Sequence, residues 1–138
     1  MKMFTKFVKN IKQTGKQVVV VAPVPVFKAK DPGRWARFLA RKGKNAEQVN
    51  NRDYVIHESD FQNSSWYSEV VSWLREMEKE KLITVLYPHS RLFENQVASM
   101  YRHGRLYYRD HSHLSVFASE MVVESFRPEL KNFLFSLM

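Results

Sequence analysis

Apolar residues recur along this chain at two spacings, and the alternation between them predicts its elements. Phe4, Phe7, Val8 and Ile11 stand three or four positions apart, so they share one face of a helix, with Gly15 as its stop. Gln17 to Ala22 is instead an almost unbroken valine run, the pattern of a strand buried on both faces. Pro23 and Pro25 end it, because proline brings no N–H to a sheet ladder, and they force an extended exit. At Asp31-Pro32 a helix cap is followed by a proline in the first turn. Trp35, Phe38 and Leu39 then form the apolar stripe, which Gly43 closes.

The polar stretch Asn45 to Asp60 carries no usable period. From Ser64 or Ser65 a long helix is predicted to about Lys81, with Trp66, Val70, Trp73 or Leu74, and Met77 facing inward. Leu82 to Tyr87 is the second buried strand, stopped by Pro88. A short irregular or helical piece covers Ser90 to Tyr101, a short strand Gly104 to Tyr108, and a loop Asp110 to Ser115. Val116, Met121, Val122 and Phe126 set a helix over Ser115 to Phe126, broken by Pro128. Leu130, Phe133, Leu134 and Leu137 give a final turn or two packed on the body.

Helix, strand, helix, helix, strand, helix is the alternation of an α/β sandwich with a parallel sheet. Such sheets need both faces covered, and two or three strands make a thin one. The expected fold is therefore a three-layer α/β sandwich of flavodoxin-like type. Residues 1–138 would form a single partial domain, the C-terminal portion of a larger layer truncated at its N-terminus.

Composition adds three exclusions. Ten Phe, six Tyr and three Trp favour a packed fold over a linker. No cysteine occurs, which removes disulfides, thiolate nucleophiles and Cys-ligated zinc. The apolar run Val18 to Phe27 is too short to span a bilayer, and the start lacks a secretory signal, so nothing in the chain as given would export or anchor it. The net charge of +8 raises the alternative of a basic nucleic-acid-binding or interaction domain without catalysis. Against it, Lys2, Lys6, Lys9, Lys12 and Lys16, and then Arg34, Arg37, Arg41, Lys42 and Lys44, follow helical spacings that suit solvated helix faces. The tryptophans Trp35, Trp66 and Trp73 fall on core-like positions rather than along a basic strand.

Chemistry is concentrated in Gly104-Arg105-Leu106-Tyr107-Tyr108-Arg109-Asp110-His111-Ser112-His113-Leu114-Ser115. An aspartate three residues before a histidine, in a loop entering a helix, can reach the imidazole and fix its proton on Nδ1. Nε2 is then left as a general base. On spacing alone, a structural loop histidine is the competing reading. A second rival is metal binding by Asp110, His111 and His113 with His103 or His89, but no further ligand motif accompanies them, and no metal is assigned. Ser112 and Ser115 are too close in sequence to His113 to face Nε2, and Ser64, Ser65 and Ser90 read as helix or turn caps.

An aromatic short strand, then Asp-x-x-His-Leu-Ser, then an amphipathic helix, resembles the last conserved block of the SGNH hydrolase superfamily. More narrowly, it is similar to the SGNH domain fused behind the membrane-bound acyltransferase-3 domain of bacterial cell-surface O-acetylases. Val18 to Pro25 looks like that family's central strand with its Pro-x-Pro exit, and Ile83 to Pro88 like its penultimate strand, so the likeness covers about Val18 to Pro128. The resemblance implies an esterase-like fold in which Asp110 orients His113, and His113 activates a serine near the start of the domain. It implies no metal or organic cofactor, a carbohydrate or acyl-ester substrate, a membrane acyltransferase portion as partner, and work at the periplasmic face of the membrane. Two departures stand out. Ala118 and Ser119 occupy positions where the pattern has Gly-Ala, and the Gly-Asp-Ser that carries the nucleophile occurs nowhere in the chain. A base without its nucleophile is expected to be inactive alone, since members of a triad act as a unit.

Overall fold

The computed structural model describes residues 2–28, 31–42 and 53–135. Helix α1, Lys2–Gln13, stops at Gly15, whose φ of +77° is a left-handed conformation that suits a residue without a side chain. Strand β1, Val19–Val21, pairs in parallel with β3, Thr84–Leu86, in the register Val19–Thr84, Val20–Val85 and Val21–Leu86. Between them come α2 (Pro32–Lys42), β2 (Val55–His57), α3 (Glu58–Gln62) and α4 (Ser65–Lys79). After β3 follow α5 (His89–Leu92), β4 (Val97–Ser99), β5 (Tyr101–Arg102), β6 (Arg105–Leu106), α6 (Val116–Ser125) and α7 (Arg127–Phe135). This is a mixed α/β fold with parallel pairing, as the alternation predicts.

One core surrounds the parallel pair: Val8 of α1 and Leu74 and Met77 of α4 pack with Ala22, Ile83 and Val85. Glu78 of α4 closes the outer edge of β3. Its carboxylate accepts the Val85 N–H at 2.8 Å and the Tyr87 hydroxyl at 2.9 Å, which also helps burial push the Tyr87 hydroxyl up to about 12. A second core lies beneath the Asp110 loop and gathers Phe27, Leu92, Ala98, Met100, Tyr107, Tyr108, Ala118, Val122 and Phe126. Asp31 caps α2 as its Asp-Pro start predicts, its Oδ1 accepting the Arg34 N–H at 2.9 Å.

Several expectations are corrected. The β1 run is not buried on both faces: Val19 and Val20 are half-buried and Val21 is 64% exposed. On α4 the inward stripe is Tyr67, Val71, Leu74 and Met77, which turns Trp66 outward at 43% exposure and leaves Val70 and Trp73 partly covered. Val116 stands in solvent at the first turn of α6 rather than in the core. Phe38 is also largely exposed, stacked on the buried Trp35. The expected break and final turns near Pro128 do appear: α6 ends at Ser125, and Pro128 sits in the first turn of the nine-residue α7, where its missing N–H costs nothing. The antiparallel pairings β2–β4 and β5–β6 were not predicted; of their strands, β6 falls within the expected short strand Gly104 to Tyr108, and the others lie in stretches without a readable apolar run. His103 (φ +52°) and Gly104 (φ +75°) make the tight turn between β5 and β6. Gly43, Lys44, the stretch 45–52 and Leu137 lie outside the described residues, as do the side chains of Leu39, Lys42 and Leu134.

The two cores make a paired prediction for chemical denaturation. Leu74→Ala, deleting a side chain 2% exposed, should cost about 2–5 kcal/mol. Tyr108 is fully buried, yet its hydroxyl has no hydrogen-bond partner among the described residues, so Tyr108→Phe should change stability by less than about 1 kcal/mol. A large loss in Tyr108→Phe would show that the hydroxyl is satisfied.

Candidate active site

The Asp110 loop is pinned at both ends before any chemistry enters. On its N-terminal side Tyr107 donates its N–H to Met100 O at 2.8 Å, and Tyr108 is buried with its ring 4.6 Å from that of Phe27. On its C-terminal side Ser115 caps α6: its hydroxyl accepts the Ala118 N–H at 3.2 Å and donates to Leu106 O at 2.7 Å. Arg109 N–H to His113 O (2.8 Å) and Ser115 N–H to Tyr107 O (2.9 Å) close the intervening residues into a compact loop. Phe27 N–H donates to His111 O at 2.8 Å and ties this loop to the segment that leaves β1. The loop thus stands beyond the carboxyl end of a parallel strand, where open α/β sheets place their ligands.

Asp110 and His113, the two predicted site residues, are brought together. Oδ1 of Asp110 accepts the backbone N–H groups of Ser112 and His113, each at 2.9 Å. Both carboxylate oxygens lie 2.9 Å from Nδ1 of His113. The N–H of Ser112, then that of His113, and then the imidazole hold the Asp110 carboxyl far below the ordinary carboxylate range, outweighing its modest desolvation. An ionised carboxylate accepts hydrogen bonds and cannot donate one, so the proton on the neutral ring belongs on Nδ1. Nε2 then carries the lone pair, on a ring whose side chain is 66% exposed. That nitrogen has no partner among the described residues and can take a proton from an incoming hydroxyl.

The remaining candidates fall elsewhere. Ser112 Oγ is 3.4 Å from Nδ1, the wrong ring nitrogen, and the Ser115 hydroxyl is used in its cap. Ser64 and Ser90 donate to Phe61 O and Tyr87 O, and Ser65 begins α4. Among the described residues no serine hydroxyl meets Nε2. His111 and Arg109 flank Asp110 at 3.8 and 3.9 Å as exposed neighbours. His103 pairs with Glu94 at 3.0 Å, and His89 lies 2.9 Å from the Tyr67 hydroxyl in an aromatic setting that lowers its pKa by burial. No group of three or more His, Cys, Asp or Glu among the described residues could hold a metal. Sequence reasoning missed the backbone share of the carboxylate's partners. Its signal was the Asp110-x-Ser112 spacing of an Asx-turn.

A parallel strand pair with an Asp–His loop beyond its carboxyl end, leading into a capped helix, is the arrangement of an SGNH-type α/β domain. The chain belongs to the family of SGNH domains fused to AT3 domains, whose model matches residues 2–128. In structure it is similar to the periplasmic domain of a lipopolysaccharide acetyltransferase from Salmonella ser. Paratyphi A, with a TM-score of 0.65 and 15% sequence identity. That likeness covers 92% of this chain and 47% of the other, so these residues span about half of the neighbour's length. No curated protein matches the chain. Among the described residues no helix is long and apolar enough to cross a membrane.

The depressed Asp110 carboxyl gives a pH prediction. A carboxyl with a folded pKa below its unfolded one contributes stability above the ordinary carboxylate range, and that contribution fades as pH falls towards the folded value. Carbon-detected NMR should find Asp110 ionised at about pH 3, where an ordinary aspartate is mostly protonated. In Asp110→Asn the amide protons of Ser112 and His113 should exchange about tenfold faster or more.

Proposed function

We propose that this chain is the C-terminal portion of an SGNH-type O-acyltransferase or esterase domain acting on O-acyl, chiefly acetyl, esters of cell-surface carbohydrate. His113 serves as general base and then general acid, and Asp110 holds its ring. Residues 1–138 form one partial domain, whose nucleophile and oxyanion donors come from parts of the protein outside this sequence. What supports the reading is one observation above all: Nδ1 of His113 sits 2.9 Å from both oxygens of Asp110 while the rest of the ring faces solvent.

The chemistry follows from that geometry. A serine hydroxyl presented to Nε2 gives up its proton as its oxygen attacks the acyl carbonyl, and Asp110 stabilises the imidazolium that forms. Collapse of the tetrahedral intermediate expels the donor's oxygen, which takes the proton back from Nε2 and leaves the acyl group on the serine. A sugar hydroxyl, or water in the esterase case, repeats the cycle in reverse. No metal or organic cofactor has a place in this scheme. The absence of any Gly-Asp-Ser triplet supports placing the serine elsewhere. Membership of a family fused to AT3 domains supports a membrane acyltransferase portion as partner and acyl source, and a site on the periplasmic face of the membrane. The nucleic-acid alternative loses ground because Trp35 is buried and Trp73 partly covered, which leaves Trp66 as the one exposed tryptophan and no row of stacking faces.

The test is esterase activity on p-nitrophenyl acetate. The isolated chain and its His113→Ala variant should turn it over at equal rates, within a factor of about two. When these residues are joined to the segment that carries the serine, His113→Ala should lower acetyl transfer by about a thousandfold or more, and Asp110→Asn by a comparable factor. Turnover by the isolated chain that vanishes in His113→Ala would overturn the external nucleophile. Full activity of the joined protein with His113→Ala would overturn the catalytic role.

A further inference from the structure

A groove of about 640 Å³ is lined in part by Val26 and Lys28, either side of the Phe27 that is bonded to the Asp110 loop, and neither Asp110 nor His113 lines it. Its walls come from three places: Val26 and Lys28 after β1, His57 at the end of β2, and Asp60, Phe61 and Trp66 from α3 and the first turn of α4. The link to the loop is the segment 25–28, in which burial alternates. Pro25 and Phe27 are buried, whereas Val26 and Lys28 are exposed. Such alternation sends neighbouring side chains to opposite sides of the backbone. Phe27 goes into the core against Tyr108 and donates its N–H to His111 O, so Val26 and Lys28 face the groove one residue either side of that bond.

The chemistry of the lining is specific. Trp66 is 43% exposed and is held edge-on against Phe61, with ring centroids 6.2 Å apart, which fixes an indole at the groove wall. The side chains of Lys28, His57 and Asp60 have no hydrogen-bond or ion-pair partner among the described residues. They offer, around one indole, a cationic donor, an acid acceptor and an imidazole able to act as either. A pyranose ring has the complementary surface, with a face of C–H groups that lies on an aromatic ring and a rim of hydroxyls that both donate and accept. The volume lies within the range of small-ligand sites. We infer that this groove is the acceptor-sugar subsite, binding a neutral hexopyranose with Trp66 as platform and Asp60, His57 and Lys28 as hydroxyl partners. The inference rests on the acyl-transfer reading for the sugar's role as acceptor, and on the groove's own geometry for its binding.

The test is an NMR titration of the 138-residue chain with the methyl pyranosides of glucose, galactose, mannose and rhamnose, each to about 100 mM to reach weak single-ring affinities. Trp66→Phe assigns the Trp66 indole N–H signal. At least one sugar should shift that signal and the amides of residues 57–61 along a saturating curve. Asp60→Asn, an exposed change that removes the charge but keeps an acceptor oxygen, should weaken the affinity about three- to tenfold, the size of a typical net hydrogen bond. Val123→Ala, an exposed change outside the lining, should leave it unchanged. Silence from Trp66 with all four sugars, or shifts confined to other surfaces, would overturn the assignment and leave the acyl-transfer reading standing. Sugar binding in the groove of a joined protein whose activity ignores His113 would do the reverse.

Discussion

Three N–H groups converge on the carboxylate of Asp110, two from the backbone at Ser112 and His113 and one from the imidazole of His113. The backbone pair shapes the loop, and the imidazole contact orients the ring. The same negative charge therefore performs a structural task and a chemical one. It must stay ionised for both, and the two amide donors keep it so by favouring the charged form well below the usual carboxylate range. A histidine beside an aspartate held this way has its tautomer chosen for it, with the basic nitrogen turned to solvent.

The rest of the fold holds that loop still. Tyr107 and Tyr108 anchor its entry in the second core, and Ser115 fixes its exit through the cap of α6. Phe27 joins it to the carboxyl end of β1 by a backbone bond and a ring contact. The sheet itself is asymmetric. Glu78 satisfies the outer edge of β3, whereas among the described residues no strand lies against the outer edge of β1.

Much of this was legible in the residues. The valine run, Leu82 to Tyr87 and the stripe of α4 announced the parallel pair and its covering helix, because long elements repeat their period often enough to be read. The pairings β2–β4 and β5–β6 stayed hidden, although Gly104 to Tyr108 marked β6, because their strands carry no apolar run like those of β1 and β3. Trp66 and Val116 were misplaced for a different reason. Either side of a helix's apolar stripe the spacing fits two neighbouring residues, and packing partners elsewhere in the chain decide between them, as Tyr67 shows by turning inward against Phe61. The Asp110–His113 contact was readable from its spacing and from the family likeness. The groove lined by Lys28, His57, Asp60 and Trp66 was not, since those residues come together only through the fold.

On the proposed reading the Asp110–His113 pair is a base with its orienting carboxylate, and Nε2 faces the side from which a hydroxyl would approach. Every functional step asks Nε2 of His113 to be unprotonated and outward while Nδ1 is bonded to Asp110. Long-range proton–nitrogen NMR of the neutral ring reports that tautomer directly. The account predicts a protonated Nδ1 and a bare Nε2, with the preference lost in Asp110→Asn. A wild-type ring protonated on Nε2, or one unaffected by Asp110→Asn, would contradict it.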